Sequence, residues 1–384
     1  MQEILKLNAI SQCAADTLGS GYKLVDKSDA PVAVMLRSFS MHDYDLPKSV
    51  LAVARAGAGT NNIPSSDYAE RGVVVFNTPG ANANAVKELA IASLLLCSRG
   101  IVDGIEWVKT LSGDDIAKQV EKGKKQFAGG EIMGKTLGVV GLGAIGVLVG
   151  NNAVRLGMNV LGYDPYISID SAWKLNHNIE KTDRLDELFA KSDYITLHVP
   201  LTDGTRGVVD ARAISKMKDG VNIINLSRGE LCNNADVIAA VKSGKIRSYV
   251  TDFASPELIG VPGITVMPHL GASTEEAEDN CAVMAARELA DFIENGNIAN
   301  SVNFPACAAP RNGKCRITVI HRNVKNVIKS ITDILTAKGF NIENFVSQSR
   351  GDYAYTIIDT DGDVSPETLD KLGACENVLR VRKI

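Results

Sequence analysis

Residues 136–164 restrict the fold more than any other part of this chain. A short apolar run, Thr136-Leu-Gly-Val-Val140, leads into Gly141-Leu-Gly143-Ala-Ile-Gly146; an alanine- and valine-rich helical stretch follows, and a second apolar run ends on Asp164. A GxGxxG alone says little. Placed between a strand and a helix, with an acidic residue 18 positions beyond the last glycine, it describes a βαβ unit built around a dinucleotide. Gly141 permits the tight turn, Gly143 lets backbone approach a pyrophosphate, and Gly146 lets the helix pack on the strand. The start of the helix, Ala144 and Ile145, offers unpaired N–H groups to the anion. Asp164 can accept both ribose hydroxyls. A 2′-phosphate there would meet a carboxylate, and Pro165-Tyr166 bring no basic partner, so NAD is preferred to NADP.

At 384 residues and 45% hydrophobic, the chain has room for two or three domains with real cores. A net charge of −4, without long single-sign blocks, implies neither a nucleic-acid nor a membrane partner. The seven cysteines are scattered and form no CxxC pair, which fits free thiols in a reducing compartment rather than disulfides or a metal site. The opening Met-Gln-Glu-Ile-Leu-Lys lacks a signal-peptide pattern, and no apolar stretch reaches about 18 residues. A cytoplasmic protein is expected.

The first hundred residues read as a small α/β unit with strands near 32–36, 50–54 and 73–76. Each strand ends in polar chemistry: Arg37-Ser38, Arg55-Ala56-Gly57-Ala58-Gly59-Thr60, and Asn77-Thr-Pro-Gly80. Ligands gather at the carboxyl ends of parallel strands, so these segments should share a rim. Further strands are expected at 136–140, 158–163, 193–199, 221–226, 248–252 and 264–267. Asp164, Pro200-Leu-Thr, Ser227-Arg228, Asp252 and Pro268-His269 fall at their ends. His269 can exchange a proton near neutrality, and a carboxylate such as Glu257 bonded to its second nitrogen would fix its tautomer. Arg228 offers a planar two-pronged donor to a carboxylate and carbonyl. Beside a nicotinamide, these groups suit alcohol–carbonyl hydride transfer. After a Pro- and Gly-containing linker at 300–313, the pattern βαββαβ over 314–384 predicts a ferredoxin-like domain. This domain is expected to pair with a copy from another subunit, because one face of its sheet is apolar and sheet edges invite pairing.

Four segments resemble the D-isomer-specific 2-hydroxyacid dehydrogenase family. They are the glycine fingerprint, His198-Val-Pro-Leu-Thr202, Asn225-Leu-Ser-Arg228-Gly-Glu230, and Asp252…Glu257…Pro268-His269-Leu-Gly-Ala-Ser-Thr274. The resemblance implies catalytic Arg228, Glu257 and His269, with Asp252 on the nicotinamide carboxamide and Pro200 and Thr205 also at the cofactor. It implies a Rossmann-type doubly wound domain at 99–282 and a flavodoxin-like substrate lobe at 1–98, completed by 283–305. The segment Arg55–Asn62 is similar to one that binds a substrate carboxylate through backbone amides and a phosphate through an arginine. With Arg37 and Asn77 it points to a small phosphorylated hydroxy acid, although either arginine could instead be a structural ion-pair partner. The C-terminal unit resembles an ACT domain, with His321, Asn323 and Asn341 matching effector contacts, while Asn326 stands where a glycine is usual. A homodimer or homotetramer is expected. Two alternatives remain: a dehydrogenase of another D-2-hydroxy acid (lactate, glycerate or hydroxyglutarate), and a non-enzymatic NAD-sensing scaffold.

Overall fold

The computed structural model describes residues 1–384, which divide into two compact units, one formed by 1–82 with 275–384 and the other by 83–274. In the first, strands β1 (Gln2–Leu7), β2 (Tyr22–Val25), β3 (Ala33–Leu36), β4 (Ala52–Arg55) and β5 (Val74–Phe76) form a sheet in the order β2-β1-β3-β4-β5. All its pairings are parallel, and the order is that of a flavodoxin-like sheet. Strands β3, β4 and β5 are almost wholly buried, because helices cover both faces of a parallel sheet and the side chains need not alternate.

The second unit holds a seven-stranded parallel sheet: β6 (Thr136–Val140), β7 (Asn159–Tyr163), β8 (Ile179–Lys181), β9 (Tyr194–Leu197), β10 (Val221–Asn225), β11 (Ile246–Thr251) and β12 (Ile264–Val266). Their order is β12-β11-β10-β9-β6-β7-β8. The direction of winding reverses at β6, so the crevice at the carboxyl ends of β6 and β9 is the place for a ligand. The helix Ala83–Ser98, expected in the first lobe, belongs to this unit instead. Its Val86, Ala90, Leu94 and Cys97 pack into one core with Leu137, Val139, Ile224 and Val250. Likewise the whole helix Glu275–Asn295, and not only the part after 283, joins the first unit. Its Ala282, Ala285, Leu289 and Phe292 share a core with Met35, Ala54 and Phe76.

Strands β13 (Cys315–Arg322), β14 (Ile342–Arg350), β15 (Tyr353–Thr360) and β16 (Val378–Lys383) form an antiparallel sheet in the order β14-β15-β13-β16. With helices Val327–Ala337 and Pro366–Gly373 this is the expected ferredoxin-like βαββαβ arrangement. It does not stand apart, however. One face of the sheet packs on its own helices through Ile317, Val319, Ile358, Ile331 and Leu335. The other face contributes Ile320, Tyr355 and Ile357 to the core that contains Phe76, Phe292 and Phe304. The apolar face expected to meet a second subunit is therefore covered by this chain.

Arg316 fixes the junction. It is fully buried and grips Asp359 in two-pronged fashion, Nε to Oδ1 at 2.7 Å and Nη2 to Oδ2 at 2.8 Å. Its remaining hydrogens go to the carbonyls of Asn295 and Ala309, both at 3.0 Å, and of Pro310 at 2.7 Å. All five donors of the guanidinium are thus satisfied. Burial alone would raise the Asp359 carboxyl, but the Arg316 bonds carry it below the usual range. Asp359→Asn should cost about 3–5 kcal/mol in chemical denaturation, because it leaves an uncompensated buried cation. Arg316→Met combined with Asp359→Leu should cost less than that single change.

Candidate active site

The glycine loop is shaped by close approaches. Gly141 has φ 92°, and a Cβ there would stand 2.5 Å from the His198 carbonyl oxygen. A Cβ on Gly146 would lie 1.9 Å from the Gly141 oxygen, so only glycine lets this helix sit on its strand. Around Gly143 there is nothing within 4 Å. No side chain caps the helix Ala144–Arg155, which leaves its first-turn N–H groups to a bound anion. Asp164, half-buried at the end of β7, accepts the Leu142 amide on Oδ2 and the Tyr166 amide on Oδ1, both at 2.8 Å. These bonds aim the carboxylate while leaving lone pairs for ribose hydroxyls. In the neighbouring loop the Thr205 hydroxyl donates to the Pro200 carbonyl at 2.6 Å and accepts the Thr202 amide at 2.8 Å, so the turn after β9 is held by its own atoms.

Asp252 sits just past β11 and is 1% exposed. Its Oδ2 accepts the Gly271 amide at 2.8 Å, whereas Oδ1 is buried without a hydrogen-bond partner. Burial raises its pKa, opposed by the Gly271 bond and by the neighbouring His269 and Arg228. An unmet buried acceptor of this kind suits an amide donor such as a nicotinamide carboxamide. The glycine cradle, Asp164 and Asp252 together fit NAD.

Arg228 and His269 both lie within electrostatic reach of Asp252. Arg228, exposed, follows β10; its Nη1 donates to the Ser227 carbonyl at 2.6 Å. Beneath it the buried Asn225 donates to the Arg228 carbonyl at 2.8 Å. His269 takes a left-handed φ of 50°. Its amide donates to the Asp252 carbonyl at 2.9 Å, its carbonyl accepts the Ser273 hydroxyl at 3.3 Å, and its ring packs on Phe253 with centroids 5.1 Å apart.

Glu257 is placed differently from expectation. Its Oε1 accepts from Asn234 Nδ2 at 3.0 Å rather than from His269, and that bond lowers the carboxyl pKa. Asn234 also donates to Ser255 at 3.2 Å, and Leu258 is buried in the core, so the loop turns Glu257 toward the helix Asn234–Lys242. There it lines a cavity of about 650 Å³ with Arg206, Glu230 and Tyr249. Asn234 and Phe253 are supporting residues that the sequence reading did not single out, and Asn225, quoted there only as part of a matching segment, supports the Arg228 backbone. His198 is likewise structural: its Nε2 pairs with Thr196 Oγ1 at 2.9 Å and burial pushes its pKa down to about 4.

The remaining candidates lie in the first unit. Arg37 is ion-paired with Glu278, and its charge, like that of Arg55, acts on Cys281. The Arg55 guanidinium folds over Gly57, where a Cβ would meet Nη1 at 2.4 Å. The loop is tied down by the Ala56 amide to Leu36 (2.8 Å), the Thr78 amide to Gly57 (3.1 Å) and Asn77 Nδ2 to Ala58 (2.6 Å). Gly59 continues this loop. In the C-terminal domain, His321 is buried with both ring nitrogens engaged, by the Arg322 carbonyl at 2.8 Å and Thr356 Oγ1 at 3.0 Å. Asn323 donates to Gly351 at 3.0 Å, the Asn341 amide to Asp361 at 2.9 Å, and Asn326 adopts the φ of 72° that glycine would take.

A doubly wound sheet with this cradle, an anchored Asp164, and Arg228 and His269 grouped about Asp252 defines a nicotinamide-nucleotide dehydrogenase. Residues 91–271 match the family described as D-isomer specific 2-hydroxyacid dehydrogenase, NAD binding domain. D-3-phosphoglycerate dehydrogenase 1 of Saccharomyces cerevisiae is 32% identical over 338 residues, covering 81% of this chain and 68% of that one. The D-3-phosphoglycerate dehydrogenase of Escherichia coli K12 is 31% identical over 356 residues, covering 87% and 82%. Among solved structures, the NAD+-bound 3-phosphoglycerate dehydrogenase of Entamoeba histolytica matches with a TM-score of 0.62 and 27% identity, over 79% of this chain and 98% of that one. The chain belongs to the D-isomer specific 2-hydroxyacid dehydrogenase family and is an NAD-dependent dehydrogenase.

Replacing Asp164 by Ala should relax the preference for NAD over NADP, since it removes a ribose acceptor and the charge that repels a 2′-phosphate. The ratio of kcat/KM for the two cofactors measures this; an unchanged ratio would assign discrimination to another residue.

Proposed function

We propose that this enzyme oxidises D-3-phosphoglycerate to 3-phosphohydroxypyruvate with NAD, in L-serine biosynthesis. The observation that carries the reading is the grouping of Arg228 and His269 about the buried Asp252, in a chain about a third identical to enzymes of that name. Bound NAD supplies the hydride acceptor. His269 takes the hydroxyl proton on an imidazole nitrogen, and Arg228 holds the carboxylate and the oxygen that becomes a carbonyl. Glu257 is assigned to stabilise the imidazolium, for which it must exchange Asn234 for His269. In the first unit, the 56–59 backbone and Asn77 are assigned to the carboxylate and Arg55 to the phosphate; Arg37 serves the same anion after leaving Glu278.

The finer points of setting belong to the same proposal. No helix is long and apolar enough to cross a membrane, and all seven cysteines are free thiols, which suits the cytoplasm. The helix Ile101–Lys109 has no buried residue and exposes Ile101, Val102, Ile105 and Val108, a face suited to a second copy in a homodimer or homotetramer.

In a substrate panel followed by NADH absorbance, D-3-phosphoglycerate should exceed unphosphorylated glycerate in kcat/KM. Arg55→Ala should cost the phosphorylated acid about 1.5–3 kcal/mol of transition-state binding and leave glycerate little changed. Equal losses would remove Arg55 from phosphate recognition. His269→Ala should lower kcat by about 10²–10⁴-fold while NADH titration gives an unchanged Kd, because general acid–base catalysis and cofactor binding rest on different groups.

A further inference from the structure

We propose that Glu288 is a positioning residue for the 55–59 loop, acting through Asn300 and Asn77. The proposal rests on the reading of that loop as the binding element for the substrate carboxylate. Glu288 lies in the second half of the helix Glu275–Asn295 and is only 8% exposed. Its Oε1 accepts a short bond from Asn300 Nδ2, 2.6 Å, and its Oε2 is buried without a hydrogen-bond partner. It borders a cavity of about 440 Å³ lined also by Ala81, Asn280, Met284, Arg287 and Asn300. Burial pushes the carboxyl up to about 7, with the Asn300 bond opposing. An acid kept half-satisfied in such a place destabilises the fold. As plain packing it would be inferior to Leu or Met, so its presence calls for a role that an apolar side chain cannot fill.

That role follows from what Asn300 holds. The Asn300 carbonyl accepts the Asn77 amide at 3.2 Å. The Asn77 side chain donates to the Ala58 carbonyl at 2.6 Å, and the next amide, Thr78, donates to Gly57 at 3.1 Å. The strap after Asn300 is stitched to the same strand end: Ser301 bridges Phe76, the Val302 amide donates to Val75 at 2.9 Å, and the Val75 amide to Asn303 Oδ1 at 2.9 Å. A continuous chain of hydrogen bonds therefore runs from the Glu288 carboxyl to the loop backbone. Removing its first link frees Asn300 to rotate and slackens the support under Asn77.

The test uses the full-length enzyme. Glu288→Leu and Asn300→Ala should each raise KM for the hydroxy acid about tenfold, the scale of one hydrogen bond, and leave KM for NAD unchanged. The double variant should be no worse than either single one, as expected for two residues of one link. Glu288→Gln, whose amide oxygen still accepts from Asn300, should stay within about twofold of the parent. A Gln variant as impaired as the Leu variant, or equal rises in both KM values, would overturn the proposal. Amide hydrogen exchange across 75–80 should quicken in the Leu and Ala variants but not in Gln, and unchanged protection in all three would also overturn it. The exchange readout needs no turnover, so it decides the role of Glu288 even if the parent enzyme prefers another acid.

Discussion

The Asp252 carboxylate is the fixed point of the unit formed by 83–274. Its cost is high, since a charge is withdrawn from water and only one oxygen is matched, by the Gly271 amide. What offsets that cost is the arrangement it enforces. The segment that follows must return past Asp252, and it does so through the His269 amide on the Asp252 carbonyl and the Gly271 amide on its side chain. Both bonds set where the imidazole stands. The left-handed backbone at His269 is a local strain tolerated because these two bonds over-determine it.

Much of this was legible in the sequence because it depends on sterics within a few residues. A glycine forced by a carbonyl 1.9 Å from its missing Cβ leaves a mark that no packing can disguise, and so does an acid that closes a βαβ unit. The strand-end rule located Arg228, Asp252 and His269 for the same reason. Asn326 in the left-handed region shows that the ferredoxin-like turn survives without its usual glycine. The strands β1, β2 and β8 have no counterpart in the sequence reading; β8 is three residues long and largely exposed, too brief for any periodicity to show.

What stayed hidden depends on contacts between distant positions. The partner of Glu257 is Asn234, 23 residues earlier, and nothing local distinguishes that outcome from a bond to His269. The partner of Arg37 is Glu278, about 240 residues later, on the helix Glu275–Asn295. The helix Ala83–Ser98 is apolar on several sides, so its place in the chain assigned it to the first lobe, whereas its fit against Leu137, Val139 and Val250 puts it in the second unit. His321 matched an effector pattern in type and spacing, yet its position on the sheet turns both nitrogens to bonds within the domain.

The five-donor grip of Arg316 bears on how such a chain can be cut and recombined. Three of its acceptors are main-chain carbonyls from the long helix and the connecting strap, and the fourth group is Asp359 in the terminal sheet. An insertion or deletion between Asn295 and Pro310 would shift those carbonyls relative to the guanidinium, so the connector is constrained in length as a hinge would not be. The terminal βαββαβ segment is then a poor cassette for exchange between enzymes: transplanted alone, it would keep the Arg316–Asp359 pair but leave three of the guanidinium's five donors without their carbonyls, and it would carry an apolar sheet face with nothing to cover it. The portable piece is the discontinuous unit of 1–82 with 275–384, and a chimera should be joined at 82/83 and 274/275, where the two cores already part.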